Sequence, residues 1–162
     1  MLVFRALVLT IYTVEGNALS PLLHDGDRVL VNRWSYGLRV GGEGSLFSYG
    51  RIGRRPVSVG DIVAFNNPGN TDEVLIGRCK AVPGDTVTHN SQTFVVPGRR
   101  DCADADYYCM EAPGNNANDS TQHMGIVSEQ HIIGRVTTVV YSHDPKCQLW
   151  RGWRTERFLL PL

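Results

Sequence analysis

Thiols and imidazoles are the first side chains in this sequence whose types could do chemistry, and their spacing limits what that chemistry is. The four cysteines are Cys79, Cys102, Cys109 and Cys147. Cys102 and Cys109 bracket a short polar loop, Ala-Asp-Ala-Asp-Tyr-Tyr, a spacing that could close a small disulfide in an oxidising compartment but leaves the state of the two thiols open. Cys79 lies in an apolar run and reads as a buried thiol. There is no Cys-x-x-Cys pair and the five histidines are scattered, so the spacing offers no zinc site, and no cofactor is implied. Charge names no partner either. Lys plus Arg and Asp plus Glu both number 16, which leaves no net field to draw the chain to nucleic acid or to an anionic membrane surface.

The elements that must position any site are short. At 162 residues the chain suits one domain, and Gly 17 and Pro 8 between runs of Val, Ile, Thr and Tyr favour a mainly β fold of short strands. Val8 to Val14 reads as a strand entering a turn at Gly16, and Asp25-Gly-Asp27 as a tight turn before a strand over Arg28 to Asn32. Further strands are expected over Val59 to Phe65, Val74 to Val82, Asp85 to Val87 and Thr137 to Tyr141, with Asn66-Asn-Pro-Gly-Asn70 as a turn. Two variable excursions interrupt the series. Residues 34–57 are rich in glycine and exposed aromatics, and 99–118 reads as a polar surface extension. The apolar run Met1 to Val14 is broken by Arg5 and falls short of the roughly 20 residues that span a bilayer. It lacks the small-x-small site of a cleavable leader as well.

Three blocks carry a resemblance. They are Val14-Glu-Gly-Asn-Ala-Leu-Ser-Pro-Leu-Leu-His-Asp-Gly-Asp-Arg-Val-Leu-Val-Asn-Arg33, Val59-Gly-Asp-Ile-Val-Ala-Phe65 and Arg78-Cys-Lys-Ala-Val-Pro-Gly-Asp-Thr-Val87. In order and spacing they resemble the type I signal peptidases, which are serine–lysine peptidases. The C-terminal part from Gly125 resembles them too, especially the Bacteroidetes-like ones, so the likeness runs from about Arg5 to the end of the chain apart from the two excursions. It implies one domain over 1–162 with a signal peptidase/LexA-like fold of short antiparallel strands and irregular loop excursions. It also implies signal peptides or exported proteins as partners, a possible membrane surface, no nucleic acid, and a place in the cell envelope at the outer face of the cytoplasmic membrane. The family's N-terminal transmembrane anchor is expected to be absent from this chain.

In such peptidases a serine oxygen attacks a peptide carbonyl and a neutral lysine takes its proton. Desolvation keeps that lysine neutral, and the two groups must meet within about 3 Å. The resemblance places both seats on the wrong residues. The nucleophile motif reads serine, methionine, any residue, proline, which puts Ala18 in the serine's position and Leu19 in the methionine's, three and two residues before Pro21. The lysine motif aligns Gly77 with the lysine and Arg78 with the following arginine. Ser20 and Lys80 are the available substitutes. On an extended strand Lys80 would be offset roughly 10 Å from Gly77 and on the opposite face, unless a bulge restores parity, and Ser20 would be displaced roughly 6.6 Å from Ala18. The plain alternatives are a turn residue at Ser20 and a solvated strand-face lysine at Lys80. Leu19, Pro21, Arg78 and Cys79 are candidates for the substrate groove, with Leu19, Leu22 and Leu23 equally readable as core. Ser120, Thr121 and Gln122 fall where the family has the aspartate, serine and arginine that support the lysine, so only the hydroxyl residue of that trio survives. Trp34, Trp150 and Trp153 either cover the core or face a membrane.

The resemblance therefore suggests a homologue that binds extended peptide by strand addition without cutting it. The competing reading is an active peptidase that uses Ser20 with Lys80, or Lys80 with a serine that was replaced at position 18, although Gly77 argues against a single replacement. On the first reading Ala18→Ser alone leaves the protein inert and adding Gly77→Lys recovers some cleavage. A LexA-type repressor domain is a remoter relative, with no DNA-binding module ahead of the domain to support it.

Overall fold

The computed structural model describes residues 8–14, 19–41, 49–89, 92–102, 105–113, 122–143 and 153–162. Twelve strands run through the described residues. They are β1 (Leu9–Thr13), β2 (Asp27–Asn32), β3 (Leu38–Val40), β4 (Gly50–Ile52), β5 (Ile62–Asn67), β6 (Asn70–Ala81), β7 (Thr86–His89), β8 (Gln92–Val95), β9 (Tyr107–Pro113), β10 (Gln122–Ser128), β11 (Ile132–Ser142) and β12 (Leu160–Pro161). The main sheet has the order β1-β2-β11-β5-β6-β9-β10, with β12 added along β11, while β3-β4 and β7-β8 form two small sheets. All of its pairings are antiparallel. The fold is mainly β, as the composition leads one to expect.

Core lies on both faces of the sheet, and β5 shows why its sequence is continuously apolar. Ile62 and Ala64 pack with Leu19, Leu23, Val29, Val31, Ile76 and Val136. Val63 and Phe65 point the other way, into Tyr36, Cys79, Tyr108, Met110 and Ile132. A strand covered on both sides has no polar face to alternate. By contrast β2 lies on one core only: Asp27, Val29 and Val31 are buried and Arg28 is exposed.

The expected turn at 66–70 links β5 to β6, with Gly69 N donating to Asn67 Oδ1 at 3.0 Å. After β6 comes the Val82-Pro-Gly-Asp85 turn. Gly84 sits at φ +92°, which a residue with a Cβ rarely adopts, and Asp85 Oδ2 accepts from Val82 N at 3.0 Å.

One expectation needs correction, and one question left open by the sequence is answered. The stretch 99–118, read as a surface extension, supplies β9, a strand of the main sheet between β6 and β10 whose Tyr108, Cys109 and Met110 are buried. The polar residues around it hid a strand that owes its place to partners on both sides. Cys102 and Cys109 are free thiols, not a disulfide, with Cys109 buried on β9 against Ala81 and Val96 and Cys102 half-buried in the loop before β9. Burial also pushes the Cys79 thiol up to about 12, so it is an inert core group. No helix among the described residues is long and apolar enough to cross a membrane. Among them no cluster of His, Cys, Asp and Glu could hold a metal ion. Residues 1–7 and Cys147 lie outside the described residues.

Candidate functional site

The segment after the nucleophile position is a tight turn between β1 and β2. Leu22 N and Leu23 N both donate to Leu19 O, at 2.9 and 3.1 Å, and the Ser20–Pro21 peptide is cis. Leu19 and Leu23 are buried in the core, Leu22 is half-buried against it, and Ser20 and Pro21 are exposed. Ala18, Ser120, Thr121 and Trp150 lie outside the described residues, and Gln122 is described only as the first residue of β10.

The base side of the site sits on β6, where it runs between β5 and β9. Gly77 is buried there. A Cβ at this position would stand 2.8 Å from the Glu111 carbonyl oxygen on β9, 3.0 Å from the Phe65 ring on β5 and 3.3 Å from the Ala112 methyl. Neighbouring side chains and backbone have closed over the place where a lysine stem would start.

Lys80 stands at an irregularity in β6. Cys79 pairs with Met110 and Ala81 with Cys109, so the β6–β9 register slips across Lys80 as it does at a bulge. The bulge needed to bring Lys80 round is thus present, but its amine is engaged elsewhere. Lys80 Nζ pairs with Glu111 Oε2 at 2.8 Å, and the lysine side chain is 39% exposed. That is the setting of a solvated ammonium in an ion pair, not of the desolvated amine that a proton acceptor requires. Of the groove candidates, Leu19 and Cys79 are closed to solvent, Arg78 is half-buried and Pro21 is open. Trp34 and Trp153 are exposed.

Sequence reasoning missed the polar group beneath this turn. Asp27 is fully buried, and its Oδ2 accepts from His24 N at 2.9 Å and from Arg157 Nη2 at 2.9 Å. The same guanidinium donates to the Pro21 and Leu22 carbonyls. In sequence Asp27 reads as a turn residue, and nothing marks Arg157. No local signal joins residues 130 apart in sequence.

Over residues 1–101 the chain matches the family described as signal peptidase, peptidase S26. It belongs to the signal peptidase family. It is 26% identical over 172 aligned positions to signal peptidase I of Bacillus amyloliquefaciens, across 88% of this chain and 80% of that one. It is 32% identical over 93 positions to signal peptidase IB of Staphylococcus aureus, across 57% of this chain but only 39% of that relative's length. The matched region holds the turn at 19–26, β5, β6 and the Val82–Asp85 turn.

In this member of the signal peptidase family the turn at 19–26 is sensitive to pH. Burial depresses the half-buried His24, the Arg157 guanidinium adds to this, Asp27 pulls the other way and Arg154 adds a little, with a net value below the usual 6.5. A histidine depressed in the folded state favours unfolding as pH falls. The loss starts as the unfolded chain takes up its proton near pH 6.5 and ends at the lower folded value. Thermal midpoints measured from pH 7.5 to 5 should therefore fall more for the wild type than for His24→Gln. Superimposable curves would contradict this reading of the turn.

Proposed function

We propose that this signal peptidase-family chain holds an extended segment of an exported protein's signal peptide without cutting it by serine–lysine chemistry. The family's setting at the outer face of the cytoplasmic membrane gives it that class of partner, and strand addition along the edge strand β1, which leads to the exposed Ser20 and Pro21, gives it the means. The observation that carries the reading is the closed space at Gly77, where the Glu111 carbonyl lies 2.8 Å from where a side chain would begin.

A second reading draws support from the register slip at Lys80: an active peptidase in which Ser20 attacks and Lys80 accepts the proton. The Lys80–Glu111 ion pair opposes it. One experiment separates the two. A fluorescent synthetic signal-sequence peptide with a small-x-small end is titrated with the protein, anisotropy reports binding, and mass spectrometry reports cleavage. Saturable binding without product is expected for the wild type, and Ala18→Ser should remain inert. Cleavage that disappears in Ser20→Ala would establish the second reading in place of the first.

A further inference from the structure

The C-terminal residues form a strap that reaches the turn at 19–26 through two arginines, Arg157 and Arg154, whose Nη1 donates to Asp25 O at 3.5 Å. The strap is tied along β11 by its backbone. Trp153 bridges to His143, Arg154 N donates to Ser142 O at 3.1 Å, β12 pairs Leu160 with Val139 and Pro161 with Thr138, and Leu162 N donates to Thr137 O at 3.0 Å. Leu162 packs on the core that holds Leu19 and Leu23. From the 3₁₀ turn Thr155–Arg157, Arg157 leaves this line and crosses to the turn between β1 and β2. Its Nη1 donates to Pro21 O at 3.4 Å, and its Nη2 is shared between Leu22 O and Asp27 Oδ2.

The planar fork of a guanidinium fits this work, because it fixes two carbonyls and a carboxylate in one geometry, which a flexible ammonium does not. The Arg157 side chain is 16% exposed and Asp27 is wholly buried, so the pair is shielded from competing water and salt. Three further polar atoms of the same group, Asp27 Oδ1, His24 Nδ1 and Arg157 Nε, are buried and have no hydrogen-bond partner among the described residues. The junction holds the turn through a few charge-assisted bonds, so the loss of one member should be felt locally.

We infer that Arg157 is a positioning residue: through the Pro21 and Leu22 carbonyls it lets the C-terminal strap set the shape of the segment on which peptide binding is proposed to occur. The peptide part of this inference rests on that proposed function, while the clamp itself does not. The test uses the full chain with Arg157→Gln and Arg157→Lys. Amide hydrogen exchange is followed at Leu22, Leu23 and Asp27, with Val63 and Ile76 in β5 and β6 as internal references. Arg157→Gln should speed exchange at the turn about tenfold with the references unchanged, and it should weaken binding of the fluorescent signal-sequence peptide by a similar factor. Arg157→Lys keeps the charge near Asp27 but not the fork, and should fall between wild type and Arg157→Gln. Unchanged exchange at the turn, or equal acceleration everywhere, would overturn the clamp, the latter by making Arg157 a merely global support. Should Arg157→Gln fail to fold, Arg157→Lys gives the same reading on its own. Local acceleration with no peptide binding by the wild type would leave the clamp standing and sink the proposed function.

Discussion

Restoring both vacated positions, as Ala18→Ser with Gly77→Lys, should give a protein that is much less stable than the wild type and still cuts nothing. Sequence reasoning alone leads to the opposite expectation for the double change, because it treats the lysine position as an empty place to be refilled. The space around Gly77 decides the matter. With the Cβ position 2.8 Å from a backbone oxygen and 3.0 Å from an aromatic ring, any side chain must drive β9 away from β6 or turn Phe65 out of the core. Overpacking of this kind costs about 1–3 kcal/mol before the rest of the side chain is placed. The lysine would carry its amine into a cluster of Phe65, Cys79, Tyr108 and Met110, so burial of the charged form, or its neutralisation, adds to the cost. A total of about 3–5 kcal/mol is expected. Denaturant midpoints of Gly77→Ala, Gly77→Lys and the double variant measure it, with the alanine variant isolating the Cβ contact. A double variant that folds with wild-type stability and cleaves the signal-sequence peptide would refute the claim that the site has closed.

The contrast between Gly77 and Lys80 shows what the sequence could convey about this site. The vacancy at Gly77 was legible from motif alignment, since it depends only on residue order. That Phe65 and Glu111 occupy the space was not, because it depends on two other strands. The register slip at Lys80 was foreseen as a condition but not as a fact, for a bulge is a property of a strand together with its partner. β5 was readable because burial on both faces makes its sequence continuously apolar, and the Pro83-Gly84 turn because its backbone demands glycine. β9 was missed because Glu111 and the polar residues before it disguise a strand whose tyrosine, cysteine and methionine side chains fill the core. The buried acids were the least legible. Asp27 and Glu129 sit in turn-like sequence, and only distant arginines account for their burial.

Glu129 gives the second large effect, and its argument turns on charge left without a partner. The carboxylate is 5% exposed at the turn between β10 and β11, where Arg51 Nε lies 3.6 Å from Oε1, Arg99 Nη2 lies 3.7 Å from Oε2, and Arg54 bridges Oε2 to Asp106. Arg51, itself 1% exposed, also donates to the carbonyls of Gly37, Glu129 and Ile132, and so fastens the β3–β4 hairpin to this turn. Glu129→Ala would keep those backbone bonds but leave the Arg51 charge buried without its acid and three guanidinium groups facing one another. Loss of one partner from a buried pair costs about 3–5 kcal/mol. Arg54 and Arg99 are partly open to water, which screens their share, so about 3 kcal/mol is the expected loss. Glu129→Gln retains an acceptor and should lose less. Raising the salt concentration should recover part of the loss in Glu129→Ala, since it screens the repulsion among the partly exposed arginines. The pair of half-exposed Arg135 with Asp61, 3.3 Å apart, supplies the comparison: Asp61 keeps its bonds from Tyr36 and Ser58, so Arg135→Gln should cost no more than about 1 kcal/mol. Urea unfolding of the four proteins ranks these terms, and a Glu129→Ala midpoint as close to wild type as that of Arg135→Gln would mean that the arginines around Glu129 are solvated well enough to need no acid.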